Sequence, residues 1–471
     1  MGLTLADLPR NESGIATALS ILKQRFGDRL QTSDAIREQH GHTTTWLRNQ
    51  PPDGVVFAQS TSEVSEIVKI CATHKVPLIP FGTGTSLEGH VNAPAGGICV
   101  DLMQMNEVLA VHPGDLNCVV QPGVTREDLN THLRDQGLFF PIDPGANASL
   151  GGMAATNASG TNAVRYGTMK DNVLAVEAVM ADGRVISTAQ RAKKTSAGYD
   201  LTRLMVGSEG TLGLITKVTL RLQGIPEAVR AARCTFPDVT AATEAVMATI
   251  QYGIPIARIE LLDALTVKAA NGYSGLDLPE EPMLMLEFHG SDSGVAEQVE
   301  MFNEIASEFG GTGFTAAKTL EERNKLWKAR HDIYWAMLAL RPGAAGVATD
   351  VCVPISRLAE AVTAAQEKAA EMDLVAPIVG HVGDGNFHAS LLVDKSDADE
   401  VERAEEFIGW LSNLAISMDG TCTGEHGIGQ GKMSYLVKEL GAATEFMAAI
   451  KQAMDPLNIL NPGKVFWPRD E

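Results

Sequence analysis

The chain lacks the features of a transmembrane protein, a secreted protein and a nucleic-acid-binding protein. Its apolar runs fall well short of the roughly eighteen residues that a spanning helix needs. A net charge of −20 disfavours contact with phosphate backbones and anionic lipid. The N-terminus, MGLTLADLPRNESG, has neither the basic stretch nor the apolar core of a signal peptide. We therefore expect a cytoplasmic protein, at most peripheral at the membrane, with no transmembrane segment and no nucleic-acid partner.

Cysteine is scarce and dispersed, with six residues and no CxxC pair. This pattern indicates buried thiols in a reducing compartment and not a disulfide framework.

The chain is long enough for two or three domains, and helix and strand patterns mix along it. Its 471 residues are 45% hydrophobic and 20% charged, which is ordinary for a soluble globular protein. A capping box at Ser60 predicts a helix over 60–76. Apolar stripes predict further helices at about 356–372 and 404–418. Gln-Gly-Ile-Pro at 223–226 predicts a domain boundary.

A glycine-rich segment, PFGTGTSLEGH at 80–90, is typical of loops that bring backbone N–H groups close to an anion. It is not the dinucleotide-binding fingerprint, because Leu87 stands where the third glycine would fall. It is not a P-loop either, because no lysine follows the second glycine. Alone, the segment does not distinguish a ligand loop from an ordinary turn.

A second segment, at 141–168, is rich in glycine, alanine and asparagine and has little hydrophobic periodicity. It predicts a long loop, and loops of that length inside a compact domain are usually functional. Because it buries little apolar surface, it needs a partner to become ordered. A nucleotide cofactor with many acceptor atoms would be such a partner.

Two short segments near the C-terminus carry the residues of a catalytic metal site. GHVGDGNFH contains His381 and His388, and the Asp-Gly pair between them predicts a tight turn that brings both imidazoles to one side. GEHGIG contains Glu425 and His426. Two histidines and a carboxylate with one open position are typical of catalytic zinc, and they also suit manganese, iron or cobalt. The alternative is that these are polar residues satisfied within glycine-rich turns.

Together these segments resemble the vanillyl-alcohol oxidase / p-cresol methylhydroxylase (PCMH) superfamily over nearly the whole chain. The resemblance is greatest to the cytochrome-type D-lactate dehydrogenases and to the FAD subunit of glycolate oxidase. It is carried by TDVCVPISRL (349–358), GHVGDGNFH, GTCTGEHGIG and NPGKVF (461–466).

The resemblance implies an α+β fold. A PCMH-type FAD-binding domain of two subdomains would be followed by an α+β substrate or cap domain of the FAD-linked oxidase C-terminal type. The implied bounds are an N-terminal segment at 1–45, the FAD-binding domain at 46–224, the cap domain with the metal site at 225–430, and a C-terminal segment at 431–471 that returns to the FAD-binding domain.

The resemblance further implies which residues hold the cofactor. FAD would be bound non-covalently, because SLEG precedes His90 where a histidyl linkage would follow a different pattern. Lys432 would also reach the flavin. The expected FAD-binding residues are Pro80, Phe81, Gly82, Thr83, Gly84, Thr85, Ser86, Pro144, Gly145, Ser149, Gly151, Gly152, Asn157, Ser159, Gly160, Gly167, Ile215 and Asn461.

These assignments predict an FAD-dependent, divalent-metal-assisted dehydrogenase of a small D-2-hydroxy acid. The metal, zinc or manganese, would hold the substrate hydroxyl; His426 would accept its proton, and hydride would pass from C2 to flavin N5. Arg330 would bind the substrate carboxylate through two hydrogen bonds, and Asn386 would orient a ligand or the substrate. D-lactate is the expected substrate, with glycolate and D-2-hydroxyglutarate as alternatives.

The sequence leaves the electron acceptor open between a cytochrome, a quinone and a flavoprotein, and it leaves a homodimer open. Two rival functions also remain at this stage. One is a metal-dependent hydrolase, which would leave the glycine-rich segments without a purpose. The other is a non-catalytic FAD-binding subunit of a larger complex.

Overall fold

The computed structural model describes residues 8–43 and 45–466. The predicted segments 1–45 and 431–471 therefore lie partly outside the described residues. The strands are β1 (Leu30–Gln31), β2 (Gly54–Phe57), β3 (Leu78–Phe81), β4 (Ile98–Asp101), β5 (Val108–His112), β6 (Asn117–Val120), β7 (Leu138–Phe139), β8 (Val173–Val179), β9 (Val185–Ser187), β10 (Leu214–Arg221), β11 (Gln223–Gly224), β12 (Ala228–Thr235), β13 (Ile256–Leu262), β14 (Met283–Gly290), β15 (Thr312–Ala316), β16 (Ala345–Ala348), β17 (Val351–Cys352), β18 (Ile378–Gly380) and β19 (Asn386–Val393).

The α-helices are α1 (Glu12–Phe26), α2 (Asp34–Gly41), α3 (Thr61–His74), α4 (Arg126–Leu133), α5 (Leu150–Thr156), α6 (Ala163–Tyr166), α7 (Met169–Asn172), α8 (Leu201–Met205), α9 (Val239–Gln251), α10 (Ala264–Ser274), α11 (Asp292–Glu308), α12 (Leu320–His331), α13 (Ile333–Ala339), α14 (Leu358–Glu371), α15 (Ala398–Ser417), α16 (Met433–Leu440) and α17 (Ala443–Met454). None of these helices combines the length and the apolar character that a bilayer crossing requires.

The first half of the chain contains two principal sheets. In one, β2, β4 and β3 are parallel and β1 is an antiparallel edge strand. The other is antiparallel, in the order β5-β6-β10-β8-β9. Each sheet has its own apolar core. The glycine-rich segment leaves the carboxyl end of β3, the edge at which open parallel sheets bind ligands.

The second half is built on one antiparallel sheet in the order β15-β12-β14-β13-β18-β19-β16, with β17 also paired to β19. Helices α9, α11, α14 and α15 cover one face, and α10, α12 and α13 cover the other. Because both faces are covered, β14 is buried along almost its whole length. This double burial explains why its sequence, MLMLEFHG, begins with four consecutive apolar residues and not with an alternating pattern.

The chain returns to the first sheet after α17. Leu460 forms a parallel bridge with Leu78, and the backbone N–H of Asn461 donates to the Leu78 carbonyl. Lys464 Nζ donates to the Asn92 carbonyl at 2.7 Å. Asn461 also reaches the end of the glycine-rich segment, because its Nδ2 donates to the His90 carbonyl at 3.2 Å.

Most predicted helices agree with the structure, and one predicted loop does not. Ser60 caps α3 by accepting the Glu63 N–H, and α14 buries the predicted apolar stripe. Helix α15 begins several residues before the predicted 404. The 141–168 segment, predicted as a loop, contains α5 and α6. Small residues gave no hydrophobic period there, but they allow short helices to pack closely.

Candidate active site

A cavity of about 530 Å³ lies between the two halves of the protein. The segment after β3 and the residues around α5 line it from the first half. Helices α12 and α13 and the strand β16 line it from the second half. His381, His388, Glu425 and His426 also line this cavity, so the two groups of residues singled out in the sequence face one space.

Most of the residues expected to bind FAD line this cavity. They are Pro80, Phe81, Gly82, Thr83, Gly84, Thr85, Ser86, Pro144, Gly145, Ser149, Gly151, Gly152, Ser159, Ile215 and Asn461. Three others do not line it. Asn157 ends α5 in the left-handed conformation and accepts the N–H of Lys170. Gly160 and Gly167 have positive φ angles of 149° and 76°. The structure thus gives these three residues local backbone roles.

The part of the cavity formed by the 80–90 segment and the residues around α5, called the cradle below, has the properties that a nucleotide cofactor requires. A methyl group on Gly82 would lie 2.2 Å from Ser149 Oγ, so only glycine permits this approach of the two segments. Ser149 Oγ is buried without a hydrogen-bond partner, and so is His90 Nδ1. Buried polar atoms normally have partners. A bound group with donors and acceptors would satisfy both atoms, so the cavity fits FAD.

Gly82→Ala tests whether this approach of the two segments matters for the cofactor. Because the added methyl group overpacks the contact with Ser149, at a typical cost of about 1–3 kcal/mol, we expect FAD affinity to fall roughly 10-fold. Flavin fluorescence released on dilution measures the affinity. Gly114→Ala is the control, because its methyl group would meet nothing within 4 Å. An unchanged affinity in Gly82→Ala would show that FAD does not depend on this contact.

Three candidate ligand atoms converge where the second half of the chain lines the cavity. Glu425 Oε1 lies 3.4 Å from His381 Nε2 and 3.2 Å from His388 Nε2, and the three residues offer ligand atoms all within 4.8 Å of one another. Atoms bound to a tetrahedral ion at about 2.0–2.2 Å lie about 3.4 Å apart. The spacing therefore fits a divalent metal, which the sequence predicted from the same three residues.

The turn between the histidines produces this convergence. The Gly385 φ of 81° closes a short turn over Val382–Asp384, directly before β19. His381 leaves the end of β18, and His388 lies within β19. The predicted Asp-Gly turn thus forms, and both imidazoles line the same cavity.

The Nδ1 atoms of both histidines are engaged away from this point. His388 Nδ1 lies 2.8 Å from the Thr349 carbonyl, and His381 Nδ1 lies 2.8 Å from Glu260 Oε1. A carbonyl can only accept, so Nδ1 of His388 carries a proton, and Nε2 is the nitrogen left to bind a metal. Metal-ligating histidines are usually oriented in this way. Glu260 was not identified from the sequence, because it lies far along the chain on β13.

Charges within the cluster favour a cation at this position. Burial lowers the pKa of His381, but Glu260 and Glu425 outweigh burial and raise that pKa well above its ordinary value. Burial raises the pKa of Glu425, but His381 and His388 bring it well below its ordinary value. Glu425 is therefore ionised. Glu425 and Glu260 together stabilise positive charge where the three ligand atoms meet.

His426 lies directly beside this cluster. Its ring stacks on the His388 ring with centroids 5.2 Å apart and planes 10° apart. Its Nδ1 is buried without a hydrogen-bond partner. Burial lowers the pKa of His426 to about 4, below the ordinary value of about 6.5 on which the prediction of a general base relied. The imidazole is therefore neutral at pH 7 and able to accept a proton.

Arg330 lines the cavity and is fixed from behind by Glu260. Its Nε and Nη2 atoms donate to Glu260 Oε2 at 3.0 Å and 2.6 Å. Glu260 therefore binds both Arg330 and the metal-ligand candidate His381. One side of the guanidinium is occupied, and its end, formed by Nη1 and Nη2, remains for a carboxylate.

Asp350, in the TDVCVPISRL segment, is a buried carboxylate behind the cluster. It accepts hydrogen bonds from Thr423 Oγ1, Asn386 Nδ2, Lys432 Nζ and the backbone N–H groups of Glu425 and His426. Burial raises the pKa of Asp350, but Lys432 and His426 bring it well below its ordinary value. Asp350 thus fixes the backbone that carries two of the predicted site residues, and no local sequence pattern indicated that role.

Two predicted contacts are absent from the cavity wall. Asn386 Nδ2 donates to Asp350 Oδ1 and to the Val351 carbonyl, both at 2.8 Å, so this amide supports Asp350. Lys432 Nζ donates to the Asp350 carbonyl at 2.9 Å and lies 3.5 Å from Glu88. Neither residue is among those that line the cavity. A substrate contact for Asn386 and a flavin contact for Lys432 stay predictions that these hydrogen bonds do not support.

Two family models match the chain. The model of the C-terminal domain of FAD linked oxidases matches residues 225–465, and that of an FAD binding domain matches residues 52–189. A probable mitochondrial D-lactate dehydrogenase of Danio rerio is 50% identical over 458 residues, which cover 96% of this chain and 92% of the relative. The mitochondrial D-lactate dehydrogenase (cytochrome) of Arabidopsis thaliana is 46% identical over 96% of this chain and 80% of its own.

A solved structure of p-cresol methylhydroxylase with substrate bound has the same fold. The TM-score is 0.80 at 16% sequence identity, and the match covers 97% of this chain and 98% of the other. These findings confirm the resemblance and the two-part, PCMH-type α+β fold that it implied. The chain therefore belongs to the family of FAD-linked oxidases, and FAD is the cofactor that its first half is built to bind.

Proposed function

We propose that the chain is an FAD-dependent, divalent-metal-assisted dehydrogenase that oxidises D-lactate to pyruvate. One observation supports this most directly. The cluster of His381, His388 and Glu425 and the cation Arg330 line the same cavity as the FAD cradle. A 2-hydroxy acid presents a hydroxyl and a carboxylate on neighbouring carbons, and these two groups match the two sites. The relatives named D-lactate dehydrogenase support the same substrate.

The residues have separate tasks in this proposal. A divalent ion held by His381, His388 and Glu425 would lower the pKa of the substrate hydroxyl. Arg330, held by Glu260, would bind the substrate carboxylate through the free end of its guanidinium. Bound FAD would supply the two-electron acceptor for the C2 hydrogen.

His426 would accept the hydroxyl proton. Its stacking on His388 places it directly beside the cluster, and its side chain lines the cavity that would hold the substrate. Asp350 holds the backbone N–H of His426 at 2.9 Å, so the ring starts from a fixed position. A fixed base within reach of its proton typically contributes about 10²–10⁴-fold to a rate.

The composition of the cavity wall favours a small monocarboxylate. Of the lysines and arginines in the described residues, only Arg330 lines the cavity. Strand β16 contributes Gly346 and Ala348, which are small and uncharged. A second substrate carboxylate would therefore lack a lysine or arginine partner. Glycolate lacks only the methyl group of lactate, which is worth about 1–3 kcal/mol of discrimination, so we expect it to react more slowly.

The first test is the visible spectrum of the purified protein under anaerobic conditions. We expect a flavin spectrum that bleaches on addition of D-lactate, more slowly with glycolate, and not with L-lactate or D-2-hydroxyglutarate. Bleaching by D-2-hydroxyglutarate alone would overturn the substrate assignment and leave the FAD-linked chemistry intact. A metal-replete protein without flavin after reconstitution with FAD would favour the hydrolase alternative.

The electron acceptor is proposed to be a cytochrome, a quinone or a flavoprotein, and the homodimer stays a prediction. The cytoplasmic location stays a prediction as well, and the names of both relatives place those proteins in mitochondria. Reduction of an artificial dye by the isolated chain would argue against a non-catalytic FAD-binding subunit.

A further inference from the structure

The second half of the 424–429 loop is held by Glu209, a buried residue from the FAD-binding half of the chain. Glu209 Oε1 accepts the backbone N–H of Ile428 at 2.7 Å, and Oε2 accepts that of Gly429 at 2.8 Å. Asp350, from the second half of the chain, accepts the backbone N–H groups of Glu425 and His426 in the same loop. Hydrogen bonds to an ionised carboxylate are about twice as strong as neutral ones. The loop that carries Glu425 and His426 is therefore held by carboxylate hydrogen bonds from both halves of the chain.

The backbone of Glu209 belongs to the cofactor cradle. Its N–H donates to the Ala155 carbonyl at 2.8 Å, within α5, and its carbonyl accepts from Asn461 Nδ2 at 2.8 Å. Glu209 itself lines the cavity. Its φ of 55° is left-handed, a conformation that non-glycine residues rarely adopt. These hydrogen bonds hold it there, so the position of Glu209 depends on the cradle segments.

Glu209 packs so closely against the loop that no side chain fits at Gly427. A methyl group on Gly427 would lie 2.7 Å from Glu209 Oε1 and 2.9 Å from His90 Nε2. His90 Nε2 in turn lies 3.1 Å from Glu209 Oε2. The backbone of Gly427 therefore packs directly against Glu209 and His90.

We propose that Glu209 is a positioning residue that couples FAD binding to metal binding. The inference rests on the metal centre proposed above. FAD in the cavity would order the cradle segments that anchor Glu209. Glu209 would then hold the 424–429 loop so that Glu425 stays at ligand distance from the two histidines. Coupling between two binding sites is reciprocal, so the metal would tighten FAD by the same factor by which FAD tightens the metal.

The test compares FAD affinity with and without metal in the full-length holoenzyme. Metal is removed with a chelator and restored as Mn²⁺ or Zn²⁺, and released FAD is followed by flavin fluorescence. In the wild-type protein we expect FAD to bind about 10-fold more tightly with metal than without it, within the usual range of coupling factors. In Glu209→Gln this ratio should fall to about one. Because the readout is a ratio, a direct effect of the substitution on FAD affinity cancels.

Glu400→Gln is the matched control. Glu400 is a similarly buried glutamate that pairs with Arg341, and neither residue lines the cavity. It should keep the wild-type ratio. A ratio near one in the wild-type protein would overturn the coupling without any variant, and a wild-type ratio retained in Glu209→Gln would overturn the role of Glu209. A holoenzyme that binds neither metal would instead refute the proposed metal centre, which is a distinct result.

Discussion

Glu425→Gln is expected to lose bound metal and to slow flavin reduction by D-lactate about 1,000-fold, while FAD remains bound. Glu425 Oε1 lies within 3.4 Å of both histidine Nε2 atoms. Glutamine keeps the shape but removes the negative charge. A Lewis-acid metal supplies several kcal/mol to such a reaction, and about 4 kcal/mol corresponds to the stated factor. FAD supplied in excess should stay bound, because its cradle lies elsewhere in the cavity and the proposed coupling lowers its affinity only about 10-fold.

Metal content by elemental analysis and stopped-flow flavin bleaching measure the two effects separately. Glu360→Gln is the matched control, because Glu360 is an exposed glutamate on α14 that pairs with Arg357 and is not part of the three-residue cluster. It should retain metal and rate. Chelation of the wild-type protein should reproduce the slow rate of Glu425→Gln, and added Mn²⁺ or Zn²⁺ should reverse it. A variant that loses metal yet keeps its rate would remove the metal from the mechanism.

His426→Ala is expected to slow flavin reduction by about 10²–10⁴-fold while FAD and metal both remain bound. The substitution removes the imidazole proposed as the base and leaves the three candidate metal ligands in place. His426→Gln, which fills more of the space over the His388 ring, should show the same loss of rate. Agreement between the two variants would separate the loss of the base from the loss of stacking.

Rapid-mixing kinetics with D-lactate, together with flavin absorbance and metal content, provide the measurement. His132→Ala serves as the control because His132 is an exposed histidine on α4. Wild-type reduction kinetics in His426→Ala would rule out this residue as the base and direct attention to another group in the cavity. Loss of metal in both His426 variants would show that His426 supports the cluster and would leave the base unidentified.

Features that depend on neighbouring residues could be predicted from the sequence. The cap of α3 formed as predicted, because an N-cap and its partner lie three residues apart. The two histidines converge because an Asp-Gly turn lies between them. The 141–168 segment was mispredicted because its small side chains carry no period that identifies α5 and α6.

The residues that support the site could not be predicted from local patterns. Glu260 binds His381 from 121 positions away, and Glu209 binds Ile428 across 219 positions. Asp350 lay in a recognised motif, but its five hydrogen-bond donors come from segments that only the folded chain brings together. Each is a buried carboxylate, and an isolated acidic residue in a sequence gives no sign of burial. Only the tertiary contacts that replace its water distinguish it from a surface charge.

The sequence alone therefore determined the superfamily, the mixed helix and strand architecture, and the identity of the clustered residues His381, His388 and Glu425, because motifs and turns are local. The tertiary structure decided which predicted residues face the cavity. It also placed Arg330 against Glu260 and turned Asn386 and Lys432 toward Asp350. Those outcomes depend on how the two halves of the chain meet, because charges buried where they meet must find partners there.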